Sequence, residues 1–277
     1  MENIRTLRNG LRINILRSAQ IPPPEKFLSA DELKKFSGFR IEKRKSDWLG
    51  GRYAAKTLLR ELLDPSLSLR EIEISYDLFG RPVWCGGLGL HLLTITHSGP
   101  FCAAAARTGP CVFLGIDLEK IEPRVKPWYE DYFHKSELAL EVTSNKLPLF
   151  LKEGPGEIFT TFHSSNSPSS PFTKRGTYGK GNSYSIQSPV TNQSPATGHR
   201  SLAAIHLATR LWTKKEALLK ALGLGLKADP LDIKIGKEIQ FLNAALKRYK
   251  ELGRPQYLLE TSRFETEYYL SAVADTG

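Results

Sequence analysis

Trp212-Thr213-Lys214-Lys215-Glu216-Ala217-Leu218-Leu219-Lys220-Ala221-Leu222-Gly223 reads as one amphipathic helix, and its polar residues fall in register with one another. Trp212, Glu216 and Lys220 recur every four residues, and side chains at that spacing share a helix face. An indole, a carboxylate and an ammonium therefore lie on one stripe, while Leu211, Ala217, Leu218, Ala221 and Leu222 supply the apolar positions. Read as a helix starting at Trp212, the stretch puts Thr213, Lys214 and Lys215 in the first turn, where the macrodipole favours acids instead. Taken alone, Glu216 and Lys220 could be a surface pair contributing roughly 0.2–0.5 kcal/mol.

A second stretch gives the first one a partner. Leu114-Gly115-Ile116-Asp117-Leu118-Glu119 ends an apolar run, and as a strand it sends Ile116 and Leu118 to one face and Asp117 and Glu119 to the other. Two carboxylates about 7 Å apart along a strand repel each other unless something positive lies near. They could simply face water. Together with Glu216 they could instead converge on a hard divalent cation such as Mg2+, with Lys220 beside it as a phosphate contact.

Gly115-x-Asp117-x-Glu119 followed by Trp212-x-x-Lys215-Glu216-x-x-x-Lys220 resembles the paired signature of the 4'-phosphopantetheinyl transferases, in particular the larger surfactin-synthetase-activating type. Gly51-Arg52-x-Ala54-Ala55-Lys56 and Gly80-Arg81-Pro82 leading to Thr96-His97-Ser98-Gly99 resemble further motifs of that family, in the same order. The resemblance implies an α+β fold of two pseudo-twofold-related halves, each with a long helix against an antiparallel sheet. It implies an N-terminal half over residues 1–114 that contacts coenzyme A, and a C-terminal half over 115–277 that carries the metal site. It also implies Mg2+, or Mn2+, at Asp117, Glu119 and Glu216. Contacts to coenzyme A are implied for Arg52, Lys56, Arg81, His97, Lys215 and Lys220. Glu216 is the candidate base, Lys220 the candidate cation on the diphosphate, and the acceptor an apo acyl or peptidyl carrier protein with an acidic face.

Outward from these motifs, Ile13, Ile15 and Leu16 suggest an early strand, and Ser29-Ala-Asp-Glu32 is a capping box. Lys34, Lys35, Arg40, Lys43, Arg44 and Lys45 form a basic run. A helix over 48–63 is expected, capped by Asp47 and closed by Pro65. Strands are expected at 72–76, 92–96 and 101–106, and a helix at 202–222. Stretches from Ile233 onward, including Ile239 to Leu246, read as strands and turns. Residues 147–199 are rich in Ser, Pro, Gly and Asn, and between Ile158 and Lys215 there is no Asp or Glu. Such composition predicts a disordered insertion.

No apolar stretch approaches the roughly 20 residues of a membrane span, and the start lacks a secretory signal, so a cytoplasmic location is expected; separately, the chain is expected to be a monomer. The three cysteines are widely spaced, which suggests neither a zinc site nor a disulfide framework. With 39 Lys and Arg against 29 Asp and Glu, the net charge of +10 favours acidic partners. That charge leaves two rival readings open, a basic nucleic-acid-binding protein and an inactive carrier-protein adaptor. No nucleic-acid motif supports the first, and the intact acids argue against the second.

Overall fold

The computed structural model describes residues 4–8, 10–86, 89–139, 157–160 and 200–276. In chain order these form β1 (Ile4–Thr6), β2 (Arg12–Arg17), α1 (Ala30–Ser37), α2 (Glu42–Leu63), β3 (Ile74–Tyr76), β4 (Pro82–Gly86), β5 (Gly89–Ser98) and β6 (Phe101–Ala106). They continue with β7 (Leu114–Lys120), α3 (Lys126–Tyr132), α4 (Lys135–Leu138), β8 (Glu157–Thr160), α5 (Leu202–Ala221), β9 (Ile233–Ile235), β10 (Ile239–Phe241), α6 (Asn243–Glu251), β11 (Tyr257–Phe264) and β12 (Tyr268–Asp275). One antiparallel sheet runs β1-β2-β6-β5-β4-β3, a second runs β7-β12-β11-β8, and β9 pairs with β10. The fold is α+β.

Alternation along the strands divides the interior. Leu16, Ala104, Ala106, Leu93 and Ile74 on one face of the first sheet pack against Ala54, Ala55, Leu58 and Leu59 of α2. The opposite face, with Ile13, Ile15, Ala103 and Ala105, meets Ile116, Leu118, Leu270 and Ala272 of the second sheet. Beyond the second sheet, Leu211, Ala217, Leu218 and Leu222 of α5 close a third core with Leu259 and Val273. The layers thus run helix, sheet, sheet, helix.

A hydroxyl seam joins the sheets. β7 is an edge strand, and the outward N–H groups of Ile116, Leu118 and Lys120 would be orphaned in the interior, which is costly. They donate instead to Thr94 Oγ1 at 3.1 Å, Thr96 Oγ1 at 3.4 Å and Ser98 Oγ at 3.2 Å of β5. On its other side β7 meets α5 so closely that a Cβ on Gly115 would stand 1.9 Å from the Ala217 carbonyl oxygen. Only glycine fits there.

Four expectations are corrected. α2 starts at Glu42 with Ile41 as its N-cap, so Asp47 lies within the helix, where it bonds Lys43 at 2.7 Å rather than capping. Helix α5 spans Leu202–Ala221, as expected for 202–222, and Ser201 caps it through the Ala204 N–H, so it is the first-turn placement of Lys214 and Lys215 that is corrected: both are mid-helix and do not oppose the dipole. Asn243–Glu251 is helical, because Ala245 and Tyr249, four apart, bury one face. Within the stretch expected to be disordered, Glu157–Thr160 forms β8, hydrogen-bonded to β11; the rest of 147–199 lies outside the described residues. The capping box at Ser29 and Glu32 forms as expected.

Candidate functional site

Strand alternation aims Asp117 and Glu119 at α5, and the four-residue repeat of α5 returns Trp212, Glu216 and Lys220 toward them. The Lys220 ammonium lies 2.7 Å from Asp117 Oδ1, and the Thr96 hydroxyl donates to the same oxygen at 3.0 Å. Asp117 Oδ2 is buried without a hydrogen-bond partner. Glu119 is held at both oxygens, by the Trp212 indole N–H on Oε1 at 3.2 Å and by Arg124 Nη2 on Oε2 at 3.1 Å. Arg124 also reaches Glu122 and lies over the Trp128 ring.

The electrostatics follow from three acids crowded in a dry place. Burial, and then the neighbouring Asp117 charge, push Glu119 and Glu216 up to about 7. Burial also raises Asp117, against the pull of Lys220. For Lys220 burial works against the charge, but Asp117 and Glu216 outweigh it, so the ammonium is held above its usual range and stays ionised. At each acid, burial outweighs the cations beside it. Among the described residues no three carboxylate, imidazole or thiol groups stand ready as a metal cage, and Lys220 and Arg124 supply the counter-charge. The all-oxygen donor set and the orphaned Oδ2 suit a hard divalent cation.

From Lys220 a cleft of about 500 Å³ runs along Ile95 past Arg81, Gly223, Gly225 and Lys227. Arg81 is braced by Asp77, whose Oδ2 accepts from its Nε at 2.7 Å, and donates to the Val112 carbonyl at 3.0 Å. Gly223, at φ +74°, ends α5 and leaves room for the Arg81 side chain, whose Cδ would lie 3.0 Å from a Cβ there. The cleft wall at Phe79 is held by the Arg248 guanidinium 3.6 Å from its ring centre. His97 is half exposed, with Nδ1 3.6 Å from Asp47. Burial, helped by Lys220 and Lys43, holds its ring below the usual value and so neutral near pH 7.

The structure brings Lys220 onto Asp117, with Glu119 and Glu216 near enough to feel both charges, and lines the cleft beside Lys220 with Arg81; His97 feels the Lys220 and Asp117 charges without lining that cleft. Arg52, Lys56 and Lys215 are not brought there. Lys56 is fully buried, ion-paired to Glu32 and donating to the carbonyls of Phe27 and Leu69. Lys215 is buried likewise, 2.9 Å from Glu137 and bonded to the carbonyls of Tyr132 and Pro230. Arg52 is 2% exposed, sandwiched by Trp48 and Tyr76 and bonded to the Ile74 carbonyl. Lys56 and Lys215 have all three ammonium donors engaged inside the fold, the Arg52 guanidinium donates to the Ile74 carbonyl and the Tyr76 hydroxyl, and none of the three lines the cleft beside Lys220, so the structure does not place these expected contacts there. Conversely, Thr96, Arg124 and Lys227 received no individual role from sequence. The hydroxyls of Thr94, Thr96 and Ser98, recurring every second residue of a strand, were the available signal for Thr96.

A family model described as the 4'-phosphopantetheinyl transferase superfamily matches residues 190–273. A holo-[acyl-carrier-protein] synthase of Staphylococcus carnosus (strain TM300) is 36% identical over 98 residues, which is 34% of this chain and 83% of the relative. The chain belongs to the 4'-phosphopantetheinyl transferase superfamily. A holo-[acyl-carrier-protein] synthase of Mycoplasma capricolum is 35% identical over 72 residues, 24% of this chain and 64% of that relative. A solved holo-[acyl-carrier-protein] synthase of Thermotoga maritima aligns over 45% of this chain and 74% of its own with 18% identity and a TM-score of 0.29. The transferase is thus an enzyme of phosphopantetheine transfer, whose superfamily draws that group from coenzyme A. The family match covers Trp212, Glu216 and Lys220 and leaves Asp117, Glu119 and the first sheet outside it. Among the described residues no helix is long and apolar enough to cross a membrane.

Proposed function

We propose that this transferase moves the 4'-phosphopantetheine arm of coenzyme A to a serine hydroxyl of an apo acyl or peptidyl carrier protein, releasing adenosine 3',5'-bisphosphate. We assign it to the larger surfactin-synthetase-activating type, because one chain holds two helix-on-sheet units joined at the β5–β7 seam. The observation that carries the reading is the gathering of acid charge from Asp117, Glu119 and Glu216 about Lys220, which itself lines the Arg81 cleft. Asp117, Glu119 and Glu216 would hold Mg2+, and a bound Mg2+ would neutralise charge developing on the diphosphate.

The chain's own groups supply the rest. Lys220, kept charged by its acidic neighbours, grips the diphosphate. Arg81 faces the nucleotide portion along the cleft, and His97 is assigned a further contact to coenzyme A. Glu216 is the candidate base that accepts the serine proton as the serine oxygen attacks the β-phosphorus. The P–O bond to the bisphosphate breaks as the new P–O bond to serine forms. The net charge of +10 favours an acidic carrier, so half-saturating carrier concentration rises with salt; a salt-independent value would remove charge steering.

The test is mass spectrometry of apo carrier proteins incubated with this chain, coenzyme A and Mg2+. A gain equal to the phosphopantetheine arm on the carrier serine is expected. No gain across a panel of acyl and peptidyl carriers sinks the reading, as does full turnover by Glu216→Gln.

A further inference from the structure

Thr96 is 3% exposed on β5, and its single hydroxyl has two engagements that fix each other. Its oxygen accepts from the Leu118 N–H, so its one proton is free to go to Asp117 Oδ1. Lys220 takes the same Oδ1, which leaves Oδ2 buried and bare. A carboxylate held at one oxygen by two donors from different elements cannot swing without losing both. We propose that Thr96 is a positioning residue, locking the Asp117 carboxylate so that Oδ2 is the oxygen presented to a divalent cation. This rests on the reading above that Asp117 is a metal ligand. Groups that orient a ligand typically change metal affinity by about 10–100-fold when removed.

Thr94 supplies the control, because its hydroxyl accepts from the Ile116 N–H in the same seam without touching a carboxylate. Free Mn2+ is measured by electron paramagnetic resonance during titration of the full chain, with unfolding midpoints recorded alongside. Thr96→Val is expected to weaken Mn2+ binding at least 10-fold, and Thr96→Ser to restore it to within about three-fold. Thr94→Val is expected to lower the unfolding midpoint as Thr96→Val does while leaving Mn2+ affinity unchanged. Should Thr96→Val not fold, Thr96→Ala carries the same comparison. Wild-type affinity in Thr96→Val, or equal weakening by Thr94→Val, overturns the inference. If the wild type binds no Mn2+, or Asp117→Asn binds it equally well, the metal reading itself fails and takes the inference with it.

Discussion

Gly115→Ala is the perturbation that couples the fold to the site most directly. The added Cβ would stand 1.9 Å from the Ala217 oxygen and 2.8 Å from the Ala221 nitrogen, both backbone atoms of a buried helix. Ordinary contact begins near 3.4 Å, so α5 must retreat from β7 by about 1.5 Å, an overpacking strain of about 3 kcal/mol. For a chain of this size that lowers the unfolding midpoint by roughly 6–12 °C. The retreat also separates Asp117 on β7 from Lys220 on α5, and a displacement of about 1 Å at a reacting centre costs on the order of 10²-fold in rate. Differential scanning fluorimetry and carrier-modification kinetics read the two effects. Gly236→Ala is the comparison: its nearest non-neighbouring atom would be 3.8 Å away, so stability should move by less than about 0.5 kcal/mol. A Gly115→Ala protein with an unchanged midpoint and full rate would refute the close packing of α5 on β7.

Lys215→Met leaves Glu137 charged and buried, and should destabilise by about 3–5 kcal/mol; a raised KM for coenzyme A at normal stability would return Lys215 to the substrate. Cys102 and Cys111, pushed by burial up to about 11 and about 12, should resist iodoacetamide at pH 8 in the native protein and react in urea, as peptide mass spectrometry would reveal. Burial raises the Tyr257 hydroxyl, and since its oxygen has no partner, Tyr257→Phe should be neutral or stabilising by up to about 1 kcal/mol. The sign on pH is fixed too: below about 10 neither state ionises, whereas above it only the unfolded chain loses the proton, so stability falls with alkalinity. Thermal scans between pH 9 and 11 should show a shallower decline in Tyr257→Phe, and identical slopes would discard this origin.

The two stretches that define the chemistry were legible because their information is local. A four-residue repeat places Trp212, Glu216 and Lys220 on one helix face, and a two-residue repeat places Asp117 and Glu119 on one strand face, whatever surrounds them. The capping box at Ser29 is local in the same way. Helix α6 escaped notice because the buried pair Ala245 and Tyr249 sits in a short stretch whose Ile239 to Leu246 lead-in also suits a strand.

Sequence by itself determined the α+β class, the acid-bearing strand and the stripe on α5. Tertiary structure alone decided which cations reach the acid cluster. Lys56 and Lys215 look on paper like Lys220, but their partners, Glu32 and Glu137, come from other elements and draw them into the interior. Whether a lysine meets solvent, substrate or a buried carboxylate depends on which faces pack together. That is set by the whole fold and left no mark in the neighbouring residues.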